Sequence, residues 1–392
     1  MHSKLRFLTS GESHGKGLTG IIEGFPAGLE LSSGDISREL KRRQAGYGRG
    51  GRMKIEQDKA ELISGVRWGK TMGSPLTIFI ENKDSKNWQK GMSSLPEHEN
   101  SIPAVTKPRP GHADLSGVMK YNQTDARNIL ERSSARETAM RVAVGAIAKR
   151  FLSEFEISIG SYVTSIGSAD MPQNDEHADL LELFQKAEGS SVRCPDEAAS
   201  LKMISVIDEA VKNGDTVGGR FVVFAIGVPV GLGSHIQWDK RLDGIIAQAL
   251  MSIQAIKAVE IGAGFKMAES FGSQVLDEIF FDKDEKKFYR KTNHAGGIEG
   301  GMTNGMPITA SAVMKPIPTL RKPLMSVDMA SKEPFEAAYE RSDACAVPAA
   351  AVVAEAMLAI IVADALLEKF GGDSLTETRR NFDSYAQQLR NF

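Results

Sequence analysis

Two histidines sit on glycine turns in otherwise polar stretches: Gly11-Glu12-Ser13-His14-Gly15, and Lys107-Pro108-Arg109-Pro110-Gly111-His112-Ala113-Asp114. Imidazole trades a proton near neutral pH, and a flanking glycine lets backbone approach a ligand closely. In the second stretch two prolines stiffen the chain. Arg109 could then hold an anion while protonated His112 serves as general acid toward a leaving oxygen. The plain alternatives are a histidine satisfied by turn hydrogen bonds and a surface turn with an incidental charge. A serine–histidine hydrolase is not supported, because adjacent residues rarely form the nucleophile–base contact and no Gly-x-Ser-x-Gly elbow occurs.

Three further stretches carry charge at suggestive spacing. Lys41 to Lys54 is a glycine-studded loop in which Arg42, Arg43, Arg49 and Arg52 crowd together, a repulsion that an anionic ligand would relieve. The alternatives there are a solvated loop or a nucleic-acid patch. Glu131-Arg132-Ser133-Ser134-Ala135-Arg136-Glu137-Thr138 joins hydroxyls and arginines to a helix start, whose free N–H groups favour an anion. Arg341-Ser342-Asp343 precedes an alanine-rich helix, where Asp343 is either a salt-bridged helix start or an acid/base carboxylate tuned by its partner. A glycine-rich run, Gly296 to Gly305, and then Lys315-Pro316-Ile317-Pro318-Thr319 would suit close contact with a planar or phosphorylated ligand.

Composition narrows the choice. Lys+Arg 48 against Asp+Glu 50 leaves a net charge of −2, so any anion binding must be local and a general nucleic-acid binder is not expected. Two cysteines, Cys194 and Cys345, are too few for a disulfide framework and fit a reducing compartment; Cys345 reads as a small buried hydrophobe. The seven histidines show no metal-type pairing, so no metal site is expected. No long apolar run precedes Gly11, so neither a cleaved leader nor a membrane anchor is expected there. Ala346–Leu367, interrupted by Glu355 and Asp364, reads as a helix packed inside protein. The cytoplasm is the default location.

The elements that must position these residues alternate irregularly. Strands are expected at Leu5–Leu8, Thr19–Glu23, Leu62–Val66, Leu76–Ile80, Gly219–Val230 and Pro307–Met314. Helices are expected at Asp35–Arg43, Ala135–Leu152, Ala198–Lys212, Arg241–Val259, Glu333–Arg341 and Val347–Phe370. Ser134 to Glu137 reads as a capping box. Asp170–Asp196 and Asp282–Arg290 read as surface insertions. Residues 73–77 and 305–309 echo each other, each entering a strand, which leaves internal duplication or chance open. The expectation is one α+β unit over residues 1–392, with helices packed on antiparallel sheet and no dinucleotide-binding turn.

Taken together, these motifs resemble those of the chorismate synthases. Gly11–Gly15 through Glu23-Gly24-Phe25-Pro26, Glu131–Ile147, and Arg341-Ser342-Asp343 through Glu355 resemble that family's three signatures. The basic glycine loop and Pro-Gly-His-Ala-Asp also fit, and Ala344 departs where many members carry proline. The resemblance implies a compact α/β sandwich assembled as a homotetramer. It also implies a trans-1,4-elimination of phosphate from 5-enolpyruvylshikimate 3-phosphate that needs reduced FMN without net redox change. The implied roles are His112 as acid for the departing phosphate, His14 as proton partner of reduced flavin, and Asp343 as the carboxylate assisting at flavin N5. Ser13, Arg49, Arg52, Arg109, Arg136 and Arg341 would meet substrate. Arg132, Ser133, Ser134, Gln254, Ala255, Gly300, Lys315 to Thr319 and Arg341 would meet flavin. Arg43 and Arg49 match positions assigned to NADP, with NADPH acting indirectly through an external flavin reductase. Nucleic acid and membrane are not expected partners. An anion- or nucleic-acid-binding module built on Lys41–Lys54, and a phosphatase or phosphotransferase, are the competing readings.

Overall fold

The computed structural model describes residues 4–49, 57–172, 178–322, 324–337 and 343–392. Period-two alternation builds its first sheet. Strands β1 (Arg6–Ser10), β2 (Gly17–Glu23), β3 (Ala60–Ser64) and β4 (Leu76–Glu81) lie in the order β1-β2-β4-β3, all antiparallel. Leu18 and Ile22 on β2, with Leu76, Ile78 and Ile80 on β4, point to one buried face. A second antiparallel sheet contains β5 (Ser158–Ile166), β6 (Ala169–Asp170), β7 (Gly219–Ile226), β8 (Ile256–Ile261) and β9 (Ile308–Met314), ordered β8-β9-β7-β5-β6.

Nine helices of seven or more residues accompany the sheets among the described residues. They are α1 (Ser33–Gln44), α2 (Asp114–Tyr121), α3 (Arg127–Ser133), α4 (Thr138–Ser153), α5 (Leu180–Glu188), α6 (Glu197–Lys212), α7 (Leu242–Met251), α8 (Val347–Phe370) and α9 (Leu375–Arg390). Helix α4 packs on the first sheet, α8 packs on the second, and the two helices pack on each other. Small residues permit this close approach. A Cβ built at Gly145 would lie 2.3 Å from Ala356 Cβ, and one at Gly20 would lie 2.5 Å from Met140 Sδ. Gly145→Val would therefore overpack the helix pair, at a cost of about 1–3 kcal/mol. Helix α8 is the one described helix long and apolar enough to cross a membrane, but it is walled in by protein and ends at Gly371 with φ 60°. The architecture is α+β, as expected.

Three local expectations are corrected. The helix expected at Arg241–Val259 stops at Met251. Ala255 adopts a left-handed φ of 66° and the chain re-enters as β8 alongside β9, where tertiary pairing overrides helical propensity. The helix expected at Glu333–Arg341 is instead a short strand, Pro334–Glu336, paired with Met325–Val327; residues 338–341 lie outside the described part. The capping box is half formed. Ser134 Oγ accepts from the Arg136 N–H, but the Glu137 carboxylate turns to Thr9, Arg141 and Gln254. Of the segments read as insertions, Ile279–Asp282 and Lys287–Arg290 form a hairpin carrying exposed aromatics, whereas 170–196 contains helix α5 and the buried Val192, Arg193 and Cys194. Leu76 and Ile308, from the two echoed segments, each begin an interior strand of their own sheet.

Candidate active site

Gly11 begins the turn that carries His14. Its φ is 106°, and a Cβ there would sit 2.3 Å from Gly17 O, so only glycine fits. Asn82, buried at the end of β4, fastens the turn by donating to Glu12 O at 3.0 Å and Gly15 O at 2.8 Å. Glu131 on α3 grips His14 twice: Oε2 accepts from the backbone N–H at 2.8 Å, and Oε1 lies 2.8 Å from Nδ1. The Trp88 ring lies over the imidazole, with centroids 4.3 Å apart. Burial opposes ionisation of Glu131, yet the hydrogen bonds from His14 and the Arg127 charge outweigh it and hold the carboxyl below its usual range.

The second histidine is held in the same manner. Gly111, with φ 75°, turns the chain so that His112 folds back onto Asp114, Nδ1 to Oδ1 at 2.6 Å. Arg109 clamps the same carboxylate through its backbone N–H at 3.1 Å and Nε at 2.8 Å, and reaches Thr319 Oγ1 at 3.1 Å. Asp114 is fully buried, which opposes its charge. The bonds from His112 and Arg109 overcome that cost and hold its carboxyl well below the ordinary carboxylate range.

Both turns face one cavity of about 1280 Å³, which Asp343 also lines. Single small-ligand pockets run to roughly 300–1,000 Å³, so this one has room for more than one ligand. Arg43, Arg49, Arg109, Arg136, Lys257 and Lys315 line it, against the lining carboxylates Asp84 and Asp343. Arg49 Nη1 donates to Asp343 Oδ2 at 3.0 Å. Asp58 stands behind, 2.6 Å from Arg136 Nη1 and 3.8 Å from Arg43 Nη1. Burial and the neighbouring Arg49 charge push the Arg43 guanidinium down to about 10, the mark of cations crowded together. Arg136 is buried and, among the described residues, its Nη2 has no hydrogen-bond partner, as is true of Gln254 Oε1; both side chains line the cavity. A buried donor left this way costs about 1–3 kcal/mol, which an anionic ligand would recover. Ser134 and Ala135 at the approach to α4, and Ala346, Ala349 and Ala350 at the start of α8, bring two helix N-termini to the same wall.

Of the residues singled out in the sequence, His14, His112 and Asp343 meet at this cavity with Ser13, Arg43, Arg49, Arg109 and Arg136. Ser133, Ser134, Gln254, Ala255, Lys315, Ile317, Pro318 and Thr319 share it. Three do not. Arg132 is half exposed and bonds to Thr9 and Gly11 O; Gly300 lies in a hairpin beside His235; Pro316 is not on the wall. Arg52 and Arg341 lie outside the described residues. The basic loop also divides. Arg42 turns away into a bidentate pair with Glu355, at 2.7 and 2.9 Å, and does not join Arg43 and Arg49. Ala344, at the position where many members carry proline, donates its N–H to Gly48 O at 2.9 Å, a bond proline cannot make.

Glu131, Asp114, Asn82 and Trp88 are functional neighbours that spacing does not reveal. Asp114 stands two residues from its histidine, which is a signal of a kind. Glu131 is 117 positions from His14, so only the fold joins them. Cys345 is buried, and burial pushes its thiol up to about 11, as befits an inert packing residue.

Similarity to known proteins extends over nearly the whole chain. A family model described as chorismate synthase matches residues 5–367. The chorismate synthase of Aquifex aeolicus (strain VF5) is 57% identical over 99% of both chains. That of Syntrophotalea carbinolica is 57% identical over 100% of both. A solved structure, "Crystal Structure of Chorismate Synthase", superposes with a TM-score of 0.81 at 49% identity, covering 99% of each chain.

Proposed function

The chain belongs to the chorismate synthase family, and from that premise we propose how its cavity performs the family's reaction. It is a carbon–oxygen lyase that removes phosphate from 5-enolpyruvylshikimate 3-phosphate by trans-1,4-elimination, giving chorismate, a step toward the aromatic amino acids. The observation that carries the assignment of roles is that His14, His112 and Asp343 line one cavity with an excess of cations.

The substrate's two carboxylates and phosphate suit Arg49, Arg109, Arg136 and Lys315, and the open Nη2 of Arg136 is a ready donor to an anionic oxygen. His112 gives its proton to the phosphate oxygen as the C–O bond breaks, which spares the leaving group a full extra charge. The hydrogen removed at C6 is not acidic, so no side-chain base suffices and a cofactor must take it. Reduced FMN, when bound, would supply that chemistry: electron donation to C–O cleavage and uptake of the C6 hydrogen, with no net redox change. The cavity's size, the Gln254 acceptor and the wall formed by Ser133, Ser134, Ala255, Lys315, Ile317, Pro318 and Thr319 fit such a group. His14 would exchange a proton with the bound group, and Asp343, steadied by Arg49, would take a proton up from it.

Residues 1–392 act as one catalytic unit, in a cytoplasmic homotetramer supplied with reduced flavin by a separate NADPH-dependent reductase. Family resemblance supports those points. The test is anaerobic phosphate release from the enolpyruvyl substrate, with and without dithionite-reduced FMN. Phosphate should appear only with reduced flavin, and the organic product should gain a second ring double bond. Turnover persisting after flavin is stripped would refute the cofactor, and a product without that double bond would point to a phosphatase. His112→Ala should lower turnover about 10²–10⁴-fold; unchanged turnover at saturating substrate would remove the acid role.

A further inference from the structure

Each cavity histidine is backed by the same unit of imidazole, buried carboxylate and arginine. His112 meets Asp114, which Arg109 clamps; His14 meets Glu131, to which Arg127 Nη1 donates at 3.4 Å. The proton roles above do not say which ring nitrogen serves the cavity. The geometry points to Asp114 and Glu131 as positioning residues that hold His112 and His14 as Nδ1–H tautomers. This rests on reading the two histidines as proton carriers.

The distances decide the tautomer. At 2.6 Å and 2.8 Å, two acceptors would repel, so a proton must lie between Nδ1 and the carboxylate oxygen. Both carboxyls are held in the ionised, acceptor-only form by the hydrogen bonds they receive, despite burial. Arg109 Nη2 is the competing partner, but it lies 3.1 Å from Nδ1 and 3.4 Å from Nε2 of His112. Near-equal distances to both ring nitrogens place it against the ring face, where it cannot serve Nδ1 as a linear in-plane donor. Lys315, whose Nζ donates to Gly111 O, is the other cation at this turn. At His14 the backbone N–H and Nδ1 take one carboxylate oxygen each, so Glu131 fixes both turn and ring. A carboxylate that only braced an arginine would not need the imidazole this close.

The test is the ¹⁵N ring spectrum of histidine-labelled full-length protein at alkaline pH, with His112→Ala and His14→Ala identifying the signals. Both rings should appear as Nδ1–H tautomers; Nε2–H at either would overturn the inference for that residue. In Asp114→Asn the amide oxygen should stay with Arg109 Nε, turning its NH₂ toward Nδ1 and switching the ring to the Nε2–H tautomer. Turnover should then fall on the order of 10²–10⁴-fold with KM changed only a few-fold, since a wrong tautomer costs about that much in other histidine–carboxylate pairs. Glu131→Gln should switch His14 in the same way. Lost turnover without a tautomer change would mean that the carboxylates are braces and nothing more. If Asp114→Asn fails to fold, the wild-type spectrum still decides. His112→Ala with full turnover would sink the acid role itself, whereas an inactive His112→Ala beside an Nε2–H ring would sink only this inference.

Discussion

Helix α8 separates two clusters made from the same side chains. On one side, fully buried Glu355 receives Arg42 at 2.7 and 2.9 Å, Arg193 at 3.0 Å, Lys149 and Ser161. Glu39 and Glu188 meet the same cations, so each cation there meets at least two carboxylates, although Arg193 Nε has no hydrogen-bond partner among the described residues. At the helix start, the cavity gathers six cations against two lining carboxylates and leaves Arg136 Nη2 without a partner. The first cluster gives each cation two or more carboxylates; in the second, Arg49, Arg109 and Arg136 each pair with one carboxylate among the described residues and border open space. Arginine density therefore says little by itself. What separates structure from function is whether the carboxylates come from the protein or from outside it.

The sharpest way to break this contrast is Glu355→Gln, which takes a buried carboxylate charge away from Arg42, Lys149 and Arg193 together. Unfolding free energy should drop by about 3–5 kcal/mol in denaturant titration, and a loss below about 1 kcal/mol would mean the cluster is not structural. Acid should find the same weakness. The folded-state values of Glu355 and Glu188 are depressed despite burial, by the cations around them. Their stabilisation is present above the ordinary value of 4.5 and is lost as pH falls from there toward the folded values. Thermal midpoints should decline steeply below that pH, and less steeply in Glu355→Gln.

How much of this could be read in advance differs between the clusters. His14, His112 and Asp343 were legible because glycine turns and flanking arginines mark them locally, and in the structure all three line one cavity. Arg42 misled because it neighbours Arg43 in sequence, while successive helical residues point about 100° apart; one enters the Glu355 cluster and the other the cavity. The strand Ile256–Ile261 was masked by a helical run ending at Met251, since only the partner strand Ile308–Met314 decides it. Glu131 and Asn82 could not be found, because their contacts span loops far apart in the chain.

Smaller effects sharpen the cavity side. Arg49→Gln should raise substrate KM on the order of tenfold, the worth of one charge-assisted hydrogen bond, with its thermal midpoint little changed; an unaltered KM would favour a solvated loop. Inorganic phosphate at ten times its dissociation constant should stabilise the wild type by about 1.4 kcal/mol, and Arg49→Gln less at the same concentration. Equal stabilisation of both would place phosphate elsewhere.

The most direct measurement is calorimetric titration of 5-enolpyruvylshikimate 3-phosphate into two folded variants, Arg136→Lys from the cavity and Arg193→Lys from the Glu355 cluster. Each keeps its charge and loses its fork. The cavity variant should bind at least about tenfold more weakly than wild type, and the cluster variant within about twofold of it. Undiminished affinity in Arg136→Lys, or the larger loss in Arg193→Lys, would contradict the account.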